Sequence, residues 1–337
     1  MDNFAAIIHT SNELEFIKRT WAARFVPKFV LSRLLNYFPQ YKLSEVEEMS
    51  SMYNQTTGWI ISCPISAKHF TESYEKQVIK RIVQAGTTAQ KLGAKIIGLG
   101  NWKSLTGDME TRIAKHFDVP VTSGKSYSLV AVVEAIKATL SDHVFHKKSV
   151  VVIGTSSAAN VCAEILAREV RNLTLVDKKE VLLHKLSAQI LYNTGLVVKT
   201  CVDIELSIAN ADIVINFSRN IDFNPYSFSS GAIVCDFSGN YNFMMRTALR
   251  RDLIFIEGGV VQLPGHVNPE IIPGFPPGMI PADIAEPMIL SLEKRYESFT
   301  LGSEINIRKV KEIGKLAHKH GFRVSGFYGP GKVKLML

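Results

Sequence analysis

In Val150-Val-Val-Ile-Gly-Thr-Ser-Ser-Ala-Ala-Asn160 an apolar run ends on one glycine and three hydroxyl-bearing residues, and helical spacing follows. A strand that turns on glycine into a helix leaves the helix's first N–H groups unpaired at the positive end of its dipole, an arrangement that suits a phosphate. The usual fingerprint uses three glycines: one for the sharp turn, one for close approach of a pyrophosphate, and one for packing helix on strand. We place Gly154 at the first, Ser157 at the second and Asn160 at the third. The hydroxyls of Thr155, Ser156 and Ser157 are expected to supplement the N–H groups in holding phosphate, whereas Asn160 fits tight helix packing poorly. Asp177 closes the next apolar run 23 residues after Gly154. A carboxylate there accepts hydrogen bonds from a ribose diol and repels a 2′-phosphate, which points to NAD as the cofactor rather than NADP. The same aspartate could equally cap the helix that follows.

Further candidates sit at the ends of other apolar runs. Ser218 and Asp236 are expected at the ligand edge of the same sheet, with Gly258-Gly259, where the missing side chains would allow close approach to a nicotinamide or simply a turn. Lys125, in Thr122-Ser-Gly-Lys-Ser-Tyr127, could bind a carboxylate or phosphate or move a proton; the alternative is a solvated loop lysine. Asn101 and Lys103 occupy a similar edge. Gly326-Phe-Tyr-Gly-Pro-Gly-Lys332 has P-loop spacing but continues into Val333 with too little chain left for the required helix. The pairs His318/His320 and His143/His146 have no carboxylate or cysteine set beside them and read as surface histidines, so no metal site is expected. Neither a G-x-S-x-G elbow nor an H-E-x-x-H motif occurs.

The totals narrow the classes. With 337 residues, 46% hydrophobic and 21% charged, the chain has ample core for two or three domains and excludes disorder and collagen-like structure. No apolar run approaches the roughly 18 residues of a membrane helix, and no basic, apolar and small-residue leader opens the chain. A cytoplasmic protein without a membrane span is expected. The net charge of +8 is spread over clusters such as Lys147-Lys148, Arg250-Arg251 and Lys309-Val-Lys311, which read as solvated surface; no nucleic acid is expected as a partner. Cys63, Cys162, Cys201 and Cys235 form no C-x-x-C pair and are expected to be reduced.

These residues need a scaffold, and from residue 149 onward the pattern supplies one. Six apolar runs, at Ser149–Gly154, Asn172–Asp177, Val197–Val202, Asp212–Ser218, Ala232–Ser238 and Leu253–Gly259, read as strands, with helices near Ala158–Arg168 and Lys179–Leu191. Near-continuous apolar strands alternating with helices imply a parallel sheet covered on both faces, so the fold class is α/β, a Rossmann-type doubly wound sheet over residues 149–265. Residues 1–128 form a smaller N-terminal α/β domain. It combines helical periodicity over Glu13–Phe38, strands at Gly58–Ser62, Lys95–Leu99 and Val119–Val121, and helices near Glu75–Leu92 and Met109–Phe117. Residues 129–148 read as a linking helix, and residues 266–337 as a Pro/Gly loop followed by C-terminal helices near Ala282–Tyr296 and Ile307–His320.

Taken in order, Gly58-Trp-Ile-Ile-Ser-Cys63, Leu99-Gly100, Thr122-Ser-Gly124, Val152-Ile-Gly154, Ala211-Asp-Ile-Val214, Asp236, Gly258-Gly-Val-Val261, Pro276-Pro-Gly278, Ala282 with Ala285-Glu286, and His320-Gly-Phe322 run along nearly the whole chain. In this order they resemble the long-chain acyl-carrier-protein reductases. The resemblance implies a nicotinamide-dependent reductase whose substrate is an acyl group on an acidic carrier protein, taken first as a thioester on the cysteine of an Ala-Cys-x-Ala-Glu motif. Here that motif reads Ala282-Asp-Ile-Ala-Glu286, so aspartate stands where the nucleophile is expected. Asp283 is then a candidate general acid/base, a ligand for a cationic group, or a residue of a helix N-terminus. Nothing in the sequence brings Cys63 to that position. Two functional expectations follow: an NAD(P)-dependent oxidoreductase acting on a carbonyl, alcohol or imine, small or carrier-bound, or a catalytically silent relative serving as a binding or scaffold subunit.

Overall fold

A computed structural model describes residues 2–9, 39–65, 74–100, 102, 105–140, 142–219, 223–247, 249–265, 271–329 and 332–335. The chain divides into two compact units. One comprises Met1–Tyr127, Val261–Gly302 and Glu312–Arg323, and the other Ser128–Val260, Ser303–Lys311 and Val324–Leu337. Residues 266–337, read as a Pro/Gly loop and C-terminal helices, contribute to both units. The helical reading of Glu13–Phe38 lies outside the described residues.

The first unit holds β1 (Asn3–His9), β2 (Tyr41–Ser50), β3 (Gln55–Cys63), α1 (Glu75–Lys91), β4 (Ile96–Gly100), α2 (Gly107–Ala114) and β5 (Val121–Thr122). Its sheet runs β2-β3-β1-β4-β5, parallel except for the antiparallel edge strand β2. α1 packs Val78, Ile79, Ile82, Ala85 and Ala89 on this sheet, and the spacing of those residues is the reason it is helical. The expectation missed β1 and β2. In β2 the buried apolar residues are Leu43, Val46 and Met49, three apart, because the register slips between Lys42 and Ser44 and again between Val46 and Met49. Such irregularities replace the period of two that marks a strand.

The second unit begins with α3 (Lys125–Thr139), whose first three residues still cluster with the first, and the short α4 (Asp142–Phe145). There follow β6 (Ser149–Ile153), α5 (Ser157–Ala167), β7 (Asn172–Val176), α6 (Glu180–Thr194), β8 (Lys199–Cys201), α7 (Ile204–Ala209), β9 (Ile213–Asn216), β10 (Ile233–Asp236), α8 (Tyr241–Thr247) and β11 (Ile254–Ile256). All pairings are parallel and the strand order is β11-β10-β9-β6-β7-β8. Counted within the unit this is 6-5-4-1-2-3, the order of doubly wound dinucleotide-binding sheets, with its switch point between β6 and β9. The expected α/β class and the Rossmann-type sheet therefore hold. The last expected strand, Leu253–Gly259, is in fact two: β11 stays in this sheet, while β12 (Gly258–Gln262) belongs to another. Late in the chain, β14 (Arg323–Gly329) pairs antiparallel with β15 (Lys332–Leu335), so the described residues of the segment with P-loop spacing lie on two paired strands.

β13 (Met279–Pro281) leads directly into α9 (Ala282–Leu292), which lies across the first unit's sheet. Three glycines let it approach. A Cβ on Gly98 would sit 2.4 Å from Pro287, on Gly100 2.5 Å from Ile284, and on Gly124 2.0 Å from the carbonyl oxygen of Asp283. Pro287 lies inside α9, which continues through it, and lacks the N–H that would bond that same carbonyl. The last helix, α10 (Ile307–His320), forms as expected.

Gly124 and Gly195 separate strain from crowding. Both are left-handed, at φ 76° and 72°, but nothing lies within 4 Å of a Cβ at Gly195. Replacing Gly195 with Ala should cost about 1–2 kcal/mol in chemical denaturation, the conformational penalty alone. Gly124→Ala should cost clearly more, about 3 kcal/mol or above, because backbone must also move.

Candidate functional site

The turn after β6 stands at the switch point of the second unit's sheet. Gly154 has φ 106°, a value that favours glycine, and a Cβ there would lie 3.4 Å from the backbone of Phe217 and Ser218 at the end of β9. Its N–H donates to the Val176 carbonyl at 2.8 Å, extending the β6–β7 ladder by one bond. Gly154, Thr155, Asp177 and Ser218 are thereby brought to one edge of the sheet.

The hydroxyls predicted to hold phosphate have other partners. Ser156 is the N-cap of α5 and accepts from the Ala159 N–H. Ser157 Oγ accepts from the Ile305 N–H at 2.8 Å and donates to the Ile305 carbonyl at 3.1 Å. Thr155 Oγ1 donates to Asp177 Oδ2 at 3.0 Å. What the turn offers an anion is therefore backbone: the N–H groups of Ser157 and Ala158 open the helix without intrahelical acceptors.

The motif's own spacing corrects the reading: counted as G-x-G-x-x-G/A from Gly154, the second and third places fall on Ser156 and Ala159, each one residue earlier than the Ser157 and Asn160 expected. Ala159 is fully buried in the core that joins α5 to the sheet, so the small residue needed for close packing is present. Asn160 comes one position later, and its Oδ1 is buried without a hydrogen-bond partner.

Asp177 accepts from the Lys179 N–H as well as from Thr155; the first contact is a local turn and not the expected cap, since the N-cap of α6 is Lys179 and has no side-chain cap bond. Asp236, expected to face a ligand, is 3% exposed and accepts from Asn216 Nδ2 at 2.9 Å and from Ser238 Oγ at 2.7 Å. Asn216 in turn accepts from the Ser218 N–H at 3.0 Å. Sequence reading missed Asn216 and Ser238; their signal was polarity at the ends of two otherwise apolar strands. Gly258 and Gly259 leave the parallel sheet, and their missing side chains are accounted for by packing. A Cβ on either would lie 2.6 Å from the Tyr328 ring or from Ala131 Cβ respectively.

In the first unit, the motif segments around Gly100, Thr122–Gly124 and Ala282–Glu286 converge. Asp283 lies in the first turn of α9, where a carboxylate is favoured by the helix dipole, and its backbone packs on Gly124. Glu286 is fully buried. It accepts from the Thr122 hydroxyl, from the Tyr127 N–H at 3.0 Å, and from Thr300 and the Gly124 N–H. Burial pushes its carboxyl up from the ordinary value, against these donors, which pull it down. Lys125 is the first residue of α3 rather than a loop residue, and its ammonium pairs with Glu110 Oε1 at 2.5 Å. The carboxylate it meets is thus the protein's own, buried to 1% exposure and held also by the Gly302 N–H. Asn101 and Lys103 lie outside the described residues.

His320 is not a surface residue. It is 1% exposed, with Nε2 at 2.6 Å from Glu293 Oε1 and Nδ1 at 2.9 Å from Ser51 Oγ. His9 Nε2 meets the Ile65 carbonyl at 2.6 Å, which requires the proton on that nitrogen. No group of three or more His, Cys, Asp or Glu able to hold a metal occurs among the described residues, and no helix among them is long and apolar enough to cross a membrane.

No family model matches the chain. The aminotransferase PigE of a Serratia species is 28% identical over 259 residues, 73% of this chain; the chain spans 30% of that protein's length. Among solved structures, a shikimate dehydrogenase in complex with NADP+ has a TM-score of 0.38 at 12% identity, covering 94% of this chain and 95% of that one. The L-tryptophan dehydrogenase of Nostoc punctiforme has a TM-score of 0.37 at 12% identity, with 94% and 79% covered.

Burial pushes the thiols of both Cys63 and Cys162 up to about 12, so neither is a ready nucleophile. Cys235 is buried too, and Cys201 is the partly exposed one. A thiol reagent at pH 8 should modify the native protein rapidly at Cys201 alone and all four cysteines after denaturation; fast labelling of Cys63 would contradict the structure.

The two buried histidines give a pH signature. Burial lowers His9 to about 4 and also lowers His320, against the pull of Glu293, so folding disfavours the charged form of both. Their stabilising contribution is complete above pH 6.5 and is lost as pH falls from there, toward about 4 for His9. Urea midpoints should drop across this window in the wild type, and less steeply in His9→Asn and His320→Asn.

Proposed function

We propose that the chain is an NAD(P)-dependent oxidoreductase that interconverts a carbonyl or imine with its reduced form. The carrying observation is the Gly154 turn, which presents helix N–H groups at the switch point of a 6-5-4-1-2-3 parallel sheet. The residues present fit the cofactor. The Gly154 backbone leaves the turn open, Ser157 and Ala158 would hold pyrophosphate through their N–H groups, and Asp177 would accept from the adenosine ribose. A bound nicotinamide supplies the hydride donor or acceptor, and the matching proton has to come from a side chain or solvent. Asp283 is our candidate for that proton. Lys125 is a weaker candidate, since its ammonium balances Glu110.

The finer substrate reading rests on the acyl-reductase resemblance and the net charge of +8, which suit a carbonyl presented on an acidic carrier protein. With aspartate at 283 and the buried thiols raised, reduction would proceed without an acyl-enzyme thioester. A relative named as an aminotransferase agrees with carbonyl or imine chemistry, since amine transfer begins or ends on a carbonyl. One observation favours a second reading, a silent binding subunit: the Thr155, Ser156 and Ser157 hydroxyls are all committed within the protein.

Calorimetric titration with NAD+, NADH, NADP+ and NADPH separates the two. The oxidoreductase reading predicts micromolar binding of at least one pair. It also predicts that Asp177→Ala weakens NAD(H) about tenfold, equivalent to ~1.4 kcal/mol for hydrogen bonds to a charged group. No binding of any of the four to the folded chain would leave the binding-subunit reading.

A further inference from the structure

The Thr155–Asp177 hydrogen bond has no counterpart in the fingerprint, which asks nothing of the side chain after the first glycine. Both ends of it are anchored. Ile153 pairs with Val176 in the parallel ladder, the Gly154 N–H adds a bond to the Val176 carbonyl, and the threonine and aspartate follow one residue later on each strand. Thr155 is β-branched, so its side chain has few rotamers to lose, and its hydroxyl meets Asp177 Oδ2 at 3.0 Å. The Lys179 N–H holds the other oxygen, Oδ1, at 3.0 Å. A carboxylate fixed by one donor on each oxygen keeps a further acceptor position on each, which is what a ribose diol needs.

The surroundings give this restraint a consequence. Lys178 and Lys179 follow directly and are exposed. Their charges alone would favour the additional phosphate of NADP, so discrimination against it depends on the aspartate staying in place beside the turn. A carboxylate free to rotate could swing aside and leave a cationic pocket; one held from two sides cannot.

We propose that Thr155 is a positioning residue for cofactor choice, holding the Asp177 carboxylate in the orientation that accepts an NAD ribose and turns away a 2′-phosphate. The inference rests on the Gly154 turn being a dinucleotide site.

The test is calorimetric titration of the full chain with NAD+ and NADP+ in the wild type, Thr155→Val, Thr155→Ser, Asp177→Ala and the Thr155→Val/Asp177→Ala double variant, with thermal unfolding of each to confirm folding. The wild type should prefer NAD+. Thr155→Val should weaken NAD+ about tenfold, the scale of one hydrogen bond to a charged group, while NADP+ binding holds or tightens. Thr155→Ser keeps the hydroxyl and should behave as wild type; if Thr155→Val does not fold, Thr155→Ala takes its place. In the Asp177→Ala background, removing the threonine hydroxyl should change NAD+ affinity by less than about twofold, because the group it positions is gone. An undiminished loss in that background, an unchanged NAD+/NADP+ ratio in Thr155→Val, or a wild type that prefers NADP+ would overturn the positioning role while leaving the dinucleotide site standing. Binding of neither nucleotide by the wild type would remove the site and the inference together.

Discussion

Glu286 carries a carboxylate with no exposed surface, and moving such a group out of water costs several kcal/mol unless fixed donors replace the lost hydration. The replacements come from the end of β5 and the start of α3, about 160 residues before Glu286 in the chain, and from the segment at Thr300. None of these segments can shift without stranding the carboxylate. Because Glu286 sits in α9, the same restraint fixes where Asp283 lies, three residues earlier on that helix. Gly98, Gly100 and Gly124 supply the matching steric condition by letting α9 reach the sheet. A buried, fully hydrogen-bonded carboxyl group thus does in this unit what a metal or a disulfide does elsewhere.

The second unit solves a different problem, that of polar groups at the open end of a parallel sheet. Asn216, Asp236 and Ser238 bond one another, and three hydroxyls of the β6 turn are absorbed by a helix cap, a neighbouring segment and Asp177. Internal satisfaction makes the edge rigid and leaves backbone N–H groups and one oriented carboxylate as its means of recognition. If the proposed dinucleotide binds here, it meets an edge already ordered, with few side chains left to fix on binding.

Much of this architecture was legible in the sequence because central parallel strands are buried on both faces. Ser149–Ile153 and Ile213–Asn216 are runs of apolar residues with almost no other reading. The strands that escaped were those whose pattern tertiary context alters: β2 with its register slips, β12 split from β11 by a change of sheet, and the β14–β15 hairpin. At the site, the position of Gly154 and its distance from Asp177 were visible, whereas the helix start was placed one residue late. Separately, the motif was counted one residue too long from Gly154, which concealed Ala159 as the packing residue and made the fingerprint look more damaged than it is.

The sequence by itself determined the α/β class, the doubly wound sheet and the location of the glycine turn, since these follow from local periodicity and from a backbone angle that favours glycine. Only the tertiary structure decided what the polar side chains do. Ser157 answers to Ile305, Lys125 to Glu110, His320 to Glu293 and Ser51, and Glu286 to donors from three segments. These pairings reach from 14 to more than 260 positions along the chain. The physical reason is that a hydrogen bond depends on distance in space and on whether water can compete, and neither is written in the order of residues along the chain.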